Sequence, residues 1–270
     1  MRMKITYPDG TTHGKIDFTK WTDLLGITNY KFNGQRVLDV ATDEGWWAFW
    51  AEMNGAEYVE ASDVELGEDY DWGAKKDWDW IKKINENRGG RKVLEFHHNN
   101  LNSKVEVKKQ SIYDVRGNFD WVFAHGLMYH LRHPLLAIDN IKKVCKGVFI
   151  FETFVDINNP NQYVAESKFY RTTELKAISN WTGATTACYA SWLKDAGFED
   201  VYFTKAAPDR RPPRQIFIGV TDPKYNTIFK NNNLGDGRSG HVQARSILGE
   251  IYDHTKGPRK LKGRSPEARI

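Results

Sequence analysis

The sequence predicts an α/β fold in which a seven-stranded, mostly parallel sheet carries helices on both faces and ends in an antiparallel hairpin. Short β-branched segments alternate with amphipathic segments along most of the chain, and this alternation is typical of parallel strands joined by helical crossovers. Two later apolar segments are joined by a short Pro- and Arg-rich loop, PDRRPPR. So short a connection requires the last two strands to be antiparallel.

Apolar periodicity and Gly, Pro and Asn breakers set the positions of the elements. The expected strands are 36–40, 58–62, 105–111, 119–124, 147–152, 201–206 and 215–220. The expected helices are 45–54, 74–87, 134–145 and 185–196.

Three segments lie outside this regular alternation. Residues 1–33 precede the first strand, and residues 67–103 are predicted to be a polar, Trp-rich insertion with one helix before Gly89 and Gly90. Residues 222–270 are polar and basic, which predicts a tail with one short helix near 241–252. Because the seventh strand ends at 220, we expect the tail to be dispensable for folding.

Composition bounds the class of protein. The chain has 270 residues, enough for one large α/β domain, and its net charge of +4 is too small to imply nucleic acid by itself. Its two cysteines form no CxxC pair, so a disulfide framework or a Cys-based zinc site is not expected. The polar N-terminus and the short apolar run at 148–155 predict no membrane segment. We expect a soluble, cytoplasmic protein.

The first strand and the turn after it form a candidate nucleotide site. Asp39 ends the strand, Gly45 begins the next helix, and Asp63 ends the second strand, about 20 residues further on, where a carboxylate can accept hydrogen bonds from ribose hydroxyls. The loop lacks GxGxxG, and Asp43 would repel a pyrophosphate, so a dinucleotide is disfavoured. The spacing alone leaves an ordinary strand–helix turn equally open.

Three segments together resemble one enzyme family. They are VLDVATDEGWWAFWAEMNGA, FDWVFAHGLMYHLRHP and FIFETFVD, which begin at residues 37, 119 and 149. They are similar to S-adenosylmethionine (SAM) enzymes related to the tRNA wobble-uridine 5-oxyacetate methyltransferase, a family that includes bacterial methyltransferases of unassigned substrate. The resemblance implies a Rossmann-like class I methyltransferase domain at 34–221, with residues 1–33 capping its active site.

The resemblance also implies which residues hold the cofactor. The set comprises Asp39, Ala41 and Gly45 at the methionine part, Asp63 at the ribose, Ile112 at the adenine, and His125 at the end of the fourth strand. SAM is favoured over carboxy-SAM. The wobble-uridine enzyme requires cationic and aromatic groups before its first strand, and only Lys15 and Trp21 suggest them here.

Candidate catalytic residues lie at the ends of the fourth and fifth strands. His130 is the first choice to accept a proton from an acceptor hydroxyl, because histidine titrates near neutral pH. Tyr129 offers a ring face to a sulfonium cation. Glu152 is the second candidate base. In the alternative interpretation, His130 only shapes the loop, and Glu152 only pairs with Arg132 or a loop amide.

Substrate contacts and metal binding are less determined by the sequence. Arg132 lies in the same loop as Tyr129, and Trp72 could stack on an acceptor ring or merely cover the core. His97, His98 and the histidines near residue 130 have no acid or cysteine at a usual ligand spacing, so we expect no metal.

The leading functional hypothesis is a SAM-dependent methyltransferase that acts on oxygen. An RNA base is favoured as acceptor by the resemblance and by the basic tail, and a glycan or small-molecule hydroxyl by the modest net charge. The alternative is a non-catalytic module that keeps the fold and binds SAM or a partner, because two glycine positions of the loop are Ala41 and Asp43. The oligomeric state stays open.

Overall fold

The computed structural model describes residues 3–64, 69–71, 78–87, 90–156, 162, 164–170, 180–204, 213–230 and 242–243. The helices are α1 Thr19–Leu25, α2 Trp46–Met53, α3 Trp78–Asn87, α4 Gly90–Leu101, α5 Pro134–Val144, α6 Thr186–Asp195 and α7 Asn226–Lys230. The strands are β1 Ile5–Thr6, β2 Thr12–His13, β3 Arg36–Val40, β4 Tyr58–Asp63, β5 Glu106–Lys109, β6 Phe119–His125, β7 Cys145–Phe154, β8 Ser167–Phe169, β9 Thr182–Ala184, β10 Asp200–Phe203, β11 Arg214–Val220 and β12 Val242–Gln243.

One large sheet organises the molecule. Its strand order is β5-β4-β3-β6-β7-β11-β10-β12. The pairs from β5 to β7 are parallel, whereas β7 with β11 and β11 with β10 are antiparallel. The predicted seven strands and terminal antiparallel hairpin are therefore confirmed, and the two-residue strand β12 extends the sheet at its edge.

The sheet is buried on both faces, as expected for parallel strands. On one face, α2 packs its tryptophans against Trp121 and Phe123 of β6. On the other face, α5 and α6 pack against Val122 and Ala124 of the same strand. Alternate residues of β6 thus pack into the two cores on opposite faces of the sheet.

The insertion differs from the prediction of a single helix. It contains α3 and also α4, whose Leu94 and His97 are buried. The start of α4 lies against the loop after β3, since a Cβ added at Gly90 would be 3.6 Å from Asp43 Oδ1. The polar composition of the insertion did not predict α4, an amphipathic helix that begins beside the loop after β3.

Residues directly after the predicted tail boundary at 222 pack into the core. Tyr225 and Phe229 are buried, with ring centroids 5.5 and 6.3 Å from that of Trp121. A 3₁₀ turn at Pro223–Tyr225 and helix α7 therefore complete one face of the core. Of the helix expected near 241–252, the described residues include only β12, which is a strand.

The N-terminal segment packs against the domain. The indole Nε1 of Trp46 donates to the carbonyl oxygen of Lys4 at 3.0 Å, and the amide of Met3 donates to Glu44 Oε2 at 2.8 Å. In α1, Trp21 lies edge-on to His125, with centroids 6.3 Å apart. The contact of Trp21 brings α1 to the carboxyl end of β6.

Candidate cofactor and transfer site

The strand order reverses between β3 and β6, because the chain leaves β3 for β4 and β5 on one side and returns to β6 on the other. Open α/β sheets bind ligands at the carboxyl ends of the strands beside such a point. Asp39, Asp63 and His125 all lie at these strand ends. The fold therefore brings together three of the residues that the sequence analysis assigned to cofactor binding.

The loop after β3 keeps a glycine-loop shape without the glycines. Ala41, Asp43 and Gly45 have φ values of 56°, 51° and 88°, all in the left-handed region that glycine favours. The amide of Thr42 donates to the carbonyl oxygen of Ser62 at 3.2 Å, which anchors the loop to the end of β4. The backbone path that lets a ligand approach is thus present despite the substitutions at 41 and 43.

Asp39 is buried beneath this loop. Its Oδ2 accepts hydrogen bonds from Thr42 Oγ1 at 2.7 Å and from the amide of Ala48 at 3.2 Å. Burial raises the pKa of Asp39 to about 7, and the nearby charges of Asp63 and Asp43 raise it further against those two donors. A cationic ligand beside the loop would favour the ionised carboxylate.

Asp63 ends β4 and Ile112 begins the turn after β5, and their contacts with ribose and adenine stay predictions. Asp63 is half-buried, and its Oδ2 accepts a hydrogen bond from the amide of Asp43 at 3.0 Å. Ile112 is buried in a 3₁₀ turn, Ile112–Asp114, that Ser111 caps by accepting a hydrogen bond from the amide of Tyr113.

His125 ends β6 between two tryptophans. Its ring stacks on Trp47 with centroids 4.2 Å apart and is met edge-on by Trp21. Burial lowers the pKa of His125 to about 3, so the imidazole is neutral at physiological pH. Its Nε2 is buried without a hydrogen-bond partner in the described part of the chain, and such a group is satisfied when a ligand or water reaches it.

Tyr129, Glu152 and Arg214 form one polar group beyond β6 and β7. Arg214 donates to the Tyr129 hydroxyl at 2.7 Å and lies 3.3 Å from Glu152 Oε2, and its guanidinium is 4.4 Å from the centroid of the Tyr129 ring. A Cβ added at Gly126 would lie 3.8 Å from Glu152 Oε2 and 4.0 Å from the Tyr129 hydroxyl. Both side chains therefore converge beside the backbone that follows β6.

Arg214 was not predicted as a site residue, since in the sequence it is one cation of a basic loop. Only the antiparallel pairing of β11 with β7, with Arg214 opposite Phe154 and Ile216 opposite Glu152, brings its guanidinium to Glu152. The sequence left open a pairing of Glu152 with Arg132, and the structure shows an ion pair of Glu152 with Arg214.

His130 and Arg132 follow on the same loop. His130 is half-buried, with its ring centroid 4.0 Å from that of Tyr129. The amide of Arg132 donates to Asp71 Oδ2 at 2.7 Å, and its guanidinium lies 4.9 Å from the centroid of the Trp181 ring. The predicted stacking residue Trp72 lies outside the described residues.

The other histidines considered for a metal lie apart from this group. His97 is buried in α4, where its Nδ1 lies 2.7 Å from the Tyr7 hydroxyl. Within the described ranges, no three His, Cys, Asp or Glu side chains gather as a metal site.

Comparison with known proteins bears on the fold and on the resemblance. No protein-family model matches the chain. A tRNA U34 carboxymethyltransferase from Pseudomonas putida (strain GB-1) is 27% identical over 184 residues, which are 67% of this chain and 50% of that protein. The chain thus spans about half the length of the curated relative it matches.

Two solved structures share the architecture. The N-terminal domain of EvdMO1, crystallised with SAH and D-fucose, matches with a TM-score of 0.53 at 14% identity over 81% of this chain and 90% of that one. Magnesium protoporphyrin IX methyltransferase from Synechocystis PCC 6803, with bound SAH, matches with a TM-score of 0.52 at 12% identity over 78% of this chain and 90% of that one. The chain has the class I methyltransferase fold.

Both the fold class and the family resemblance stated from sequence are thereby confirmed. In the methyltransferase fold, β3, β4 and β6 are the strands whose carboxyl ends flank the point of strand-order reversal.

In the described part of the chain, no helix is both long enough and apolar enough to cross a bilayer.

Proposed function

We propose that this protein is a SAM-dependent methyltransferase. The observation that carries the proposal is the loop from Ala41 to Gly45, which keeps three left-handed residues between the carboxyl groups of Asp39 and Asp63. A nucleoside with a cationic amino-acid arm suits this arrangement, because Asp63 can accept from ribose hydroxyls and Asp39 favours a nearby cation. The SAH-bound structures with the same fold support it.

The residues beyond β6 and β7 would organise the transfer. When bound, SAM supplies a methyl group on a sulfonium centre. His130 would accept the proton of an acceptor hydroxyl that takes the methyl group, with SAH as the leaving group, and the ring of Tyr129 would stabilise the positive charge of the sulfonium. Glu152 holds Arg214, so its carboxylate serves as an ion-pair partner and His130 remains the proposed base. The remaining contribution is the orientation of donor and acceptor.

The proposed acceptor is a hydroxyl of an RNA base, or of a glycan or small molecule. The relative named as a tRNA U34 carboxymethyltransferase supports the first, and the structure solved with D-fucose supports the second. We place the protein in the cytoplasm, in keeping with its two free, buried cysteines, Cys145 and Cys188.

A second candidate is carboxymethyl transfer from carboxy-SAM. Arg214 and the Tyr129 hydroxyl, 2.7 Å apart beside Gly126, offer a cation and a hydroxyl to a carboxylate on the transferred group. The ion pair with Glu152 already neutralises Arg214 in part, which favours plain SAM.

Calorimetric titration of the full chain with SAM and with carboxy-SAM separates the two candidates. If SAM is the donor, both ligands bind the wild type, and Arg214→Met changes their affinities equally. Selective loss of carboxy-SAM affinity in Arg214→Met, with Arg116→Met unchanged, would favour carboxymethyl transfer. Arg116 is an exposed arginine before the amino end of β6, whereas the site lies at the carboxyl end of that strand.

Tritiated methyl transfer into crude RNA and sugar extracts then tests catalysis. Label in RNA or in sugar identifies the acceptor class. Binding of SAM without transfer to any extract would instead favour the non-catalytic module.

A further inference from the structure

The ribbon formed by β8 and β9 carries an exposed aromatic ring beside the transfer site. The two strands pair antiparallel, with Phe169 opposite Thr182, and Ala184 bridges to Val155 just after β7. Phe169 is 58% exposed. A single exposed apolar side chain is common on protein surfaces, but Phe169 lies against a second aromatic ring, Trp181, which Arg132 also contacts.

The ring of Trp181 packs against the exposed ring of Phe169. The two ring centroids are 5.7 Å apart at 30°, and Trp181 itself is buried. Its indole Nε1 donates to the carbonyl oxygen of Asp71 at 2.6 Å, and its amide donates to the carbonyl oxygen of Tyr129 at 2.8 Å. The ring under Phe169 is therefore fixed by hydrogen bonds, one of them to the loop that bears the proposed transfer residues.

Arg132 adds a cation on the same indole. Its guanidinium lies 4.9 Å from the centroid of the Trp181 ring, and its side chain is exposed. The Asp71 carboxylate fixes the backbone at Arg132 by accepting from its amide, and it also accepts from the Tyr113 hydroxyl at 2.6 Å. The aromatic face of Phe169 can stack on a flat ring, and the guanidinium of Arg132 can bind a phosphate next to that ring.

We infer that Phe169, Trp181 and Arg132 form a stacking platform that holds an unpaired nucleobase of the acceptor beside the transfer site. Phe169 stacks on the base and Arg132 meets the adjacent phosphate. The inference rests on the proposed function, whose acceptor it narrows to a nucleotide in a single-stranded segment. Bases in a duplex present no free face for such stacking.

Fluorescence anisotropy with a labelled, uridine-rich single-stranded RNA heptamer tests the platform on the full chain. Phe169→Leu keeps an apolar side chain but removes the ring face, and it should weaken RNA binding roughly five- to one-hundred-fold. Phe169→Trp should retain binding. The matched control is Phe96→Leu, at a ring on α4 that is 36% exposed and should not matter.

The salt dependence of the same binding tests Arg132. Arg132→Met should reduce the slope of log affinity against log salt by about one, because one phosphate contact is lost. Arg116→Met should leave the slope unchanged. Thermal melts of all variants show whether a loss of binding reflects a loss of folding.

Three outcomes would overturn the platform. They are RNA affinity in Phe169→Leu within about twofold of the wild type, an equal loss in Phe96→Leu, or binding of a neutral oligosaccharide with none of RNA. SAM titration of the same variants keeps the two proposals apart. If RNA binding depends on Phe169 while SAM does not bind, the proposed function fails, and the three residues form an RNA-binding surface without the role in methyl transfer.

Discussion

Asp39 shows how position in the fold sets the chemistry of a single residue. Its carboxyl group is buried at the end of β3, and burial raises its pKa to about 7 from its ordinary value of 3.8. Between these two values the folded state binds more protons than the unfolded state, so the free energy of unfolding falls as pH rises. A bound cation reverses the preference by stabilising the carboxylate.

Asp39→Asn should therefore change the pH dependence of stability in the ligand-free protein. The wild type should lose stability relative to the variant as pH rises from about 4 to about 7, where Asp39 ionises. His125 has the opposite effect, because burial lowers its pKa to about 3 and the unfolded chain takes up the proton below about pH 6.5. Since His125 is present in both proteins, its effect cancels in the difference between their denaturant-unfolding curves. If the free energies of unfolding of the wild type and of Asp39→Asn change equally with pH across this window, the raised pKa of Asp39 is contradicted.

Tyr129 and His130 divide the transfer chemistry between them. We predict that His130→Ala lowers turnover by roughly 10²–10⁴-fold while SAM affinity stays nearly intact. Tyr129→Ala should lower both turnover and SAM affinity. Its ring is buried beside the loop after β6, and its hydroxyl accepts a hydrogen bond from Arg214.

Turnover is measured as conversion of SAM to SAH with the RNA extract as acceptor, beside a thermal melt of each variant. Equal losses of stability and activity in His130→Ala would indicate a residue that only shapes the loop. Full activity would remove His130 from the mechanism.

Among the elements, α2 depends on the glycine at its start. Gly45 has φ +88°, and an added Cβ would lie 2.5 Å from Cε2 of the buried Phe49. Gly45→Ala should cost about 2–5 kcal/mol, from left-handed strain together with overpacking. Gly34→Ala is the matched control, because Gly34 has φ +69° but nothing within 4 Å of the added Cβ, so only about 1–2 kcal/mol of strain applies. Equal losses in urea-unfolding experiments would show that the contact with Phe49 is unimportant.

Helix α7 closes the core although it follows the last long strand. Phe229 packs 5.7 Å from Tyr202 and 6.3 Å from Trp121, measured between ring centroids. Phe229→Ala should destabilise the fold by about 3–5 kcal/mol. Thr227→Ala, at an exposed position of the same helix, should stay within about 0.5 kcal/mol of the wild type.

Truncation tests the same boundary on a larger scale. Deleting residues 223–270 should expose the buried face around Trp121 and prevent stable folding, contrary to the expectation from sequence that the whole tail is dispensable. A fully cooperative melt for this truncation at the wild-type temperature would show that α7 is not part of the core.

At the scale of the whole molecule, the sheet was predictable because its signals are local. Each strand is a short apolar run between breakers, and the hairpin loop alone requires antiparallel pairing. The burial of α7 was not predictable, since Tyr225 and Phe229 lie in a polar segment and acquire their role only against Trp121. Tertiary contact there overrides local composition.

Part of the candidate site could likewise be predicted from local signals in the sequence. Asp39, Asp63 and Tyr129 lie near the carboxyl ends of predicted strands, so the strand-end rule predicts them as site residues. Arg214 and Trp181 needed pairing and loop contacts between distant segments, the first through β7 and the second through Tyr129 and Asp71. Sequence spacing carries no signal for either.

Binding of SAM to the full chain is the most direct test of the central claim. Calorimetric titration should give a single site, and Asp63→Ala should weaken it by about 1–3 kcal/mol, because the ribose hydroxyls lose a charged acceptor. Asp139→Ala, at an exposed acid on α5, should bind SAM like the wild type. Absence of SAM binding, or equal affinity in wild type and a folded Asp63→Ala variant, would contradict the proposed cofactor site.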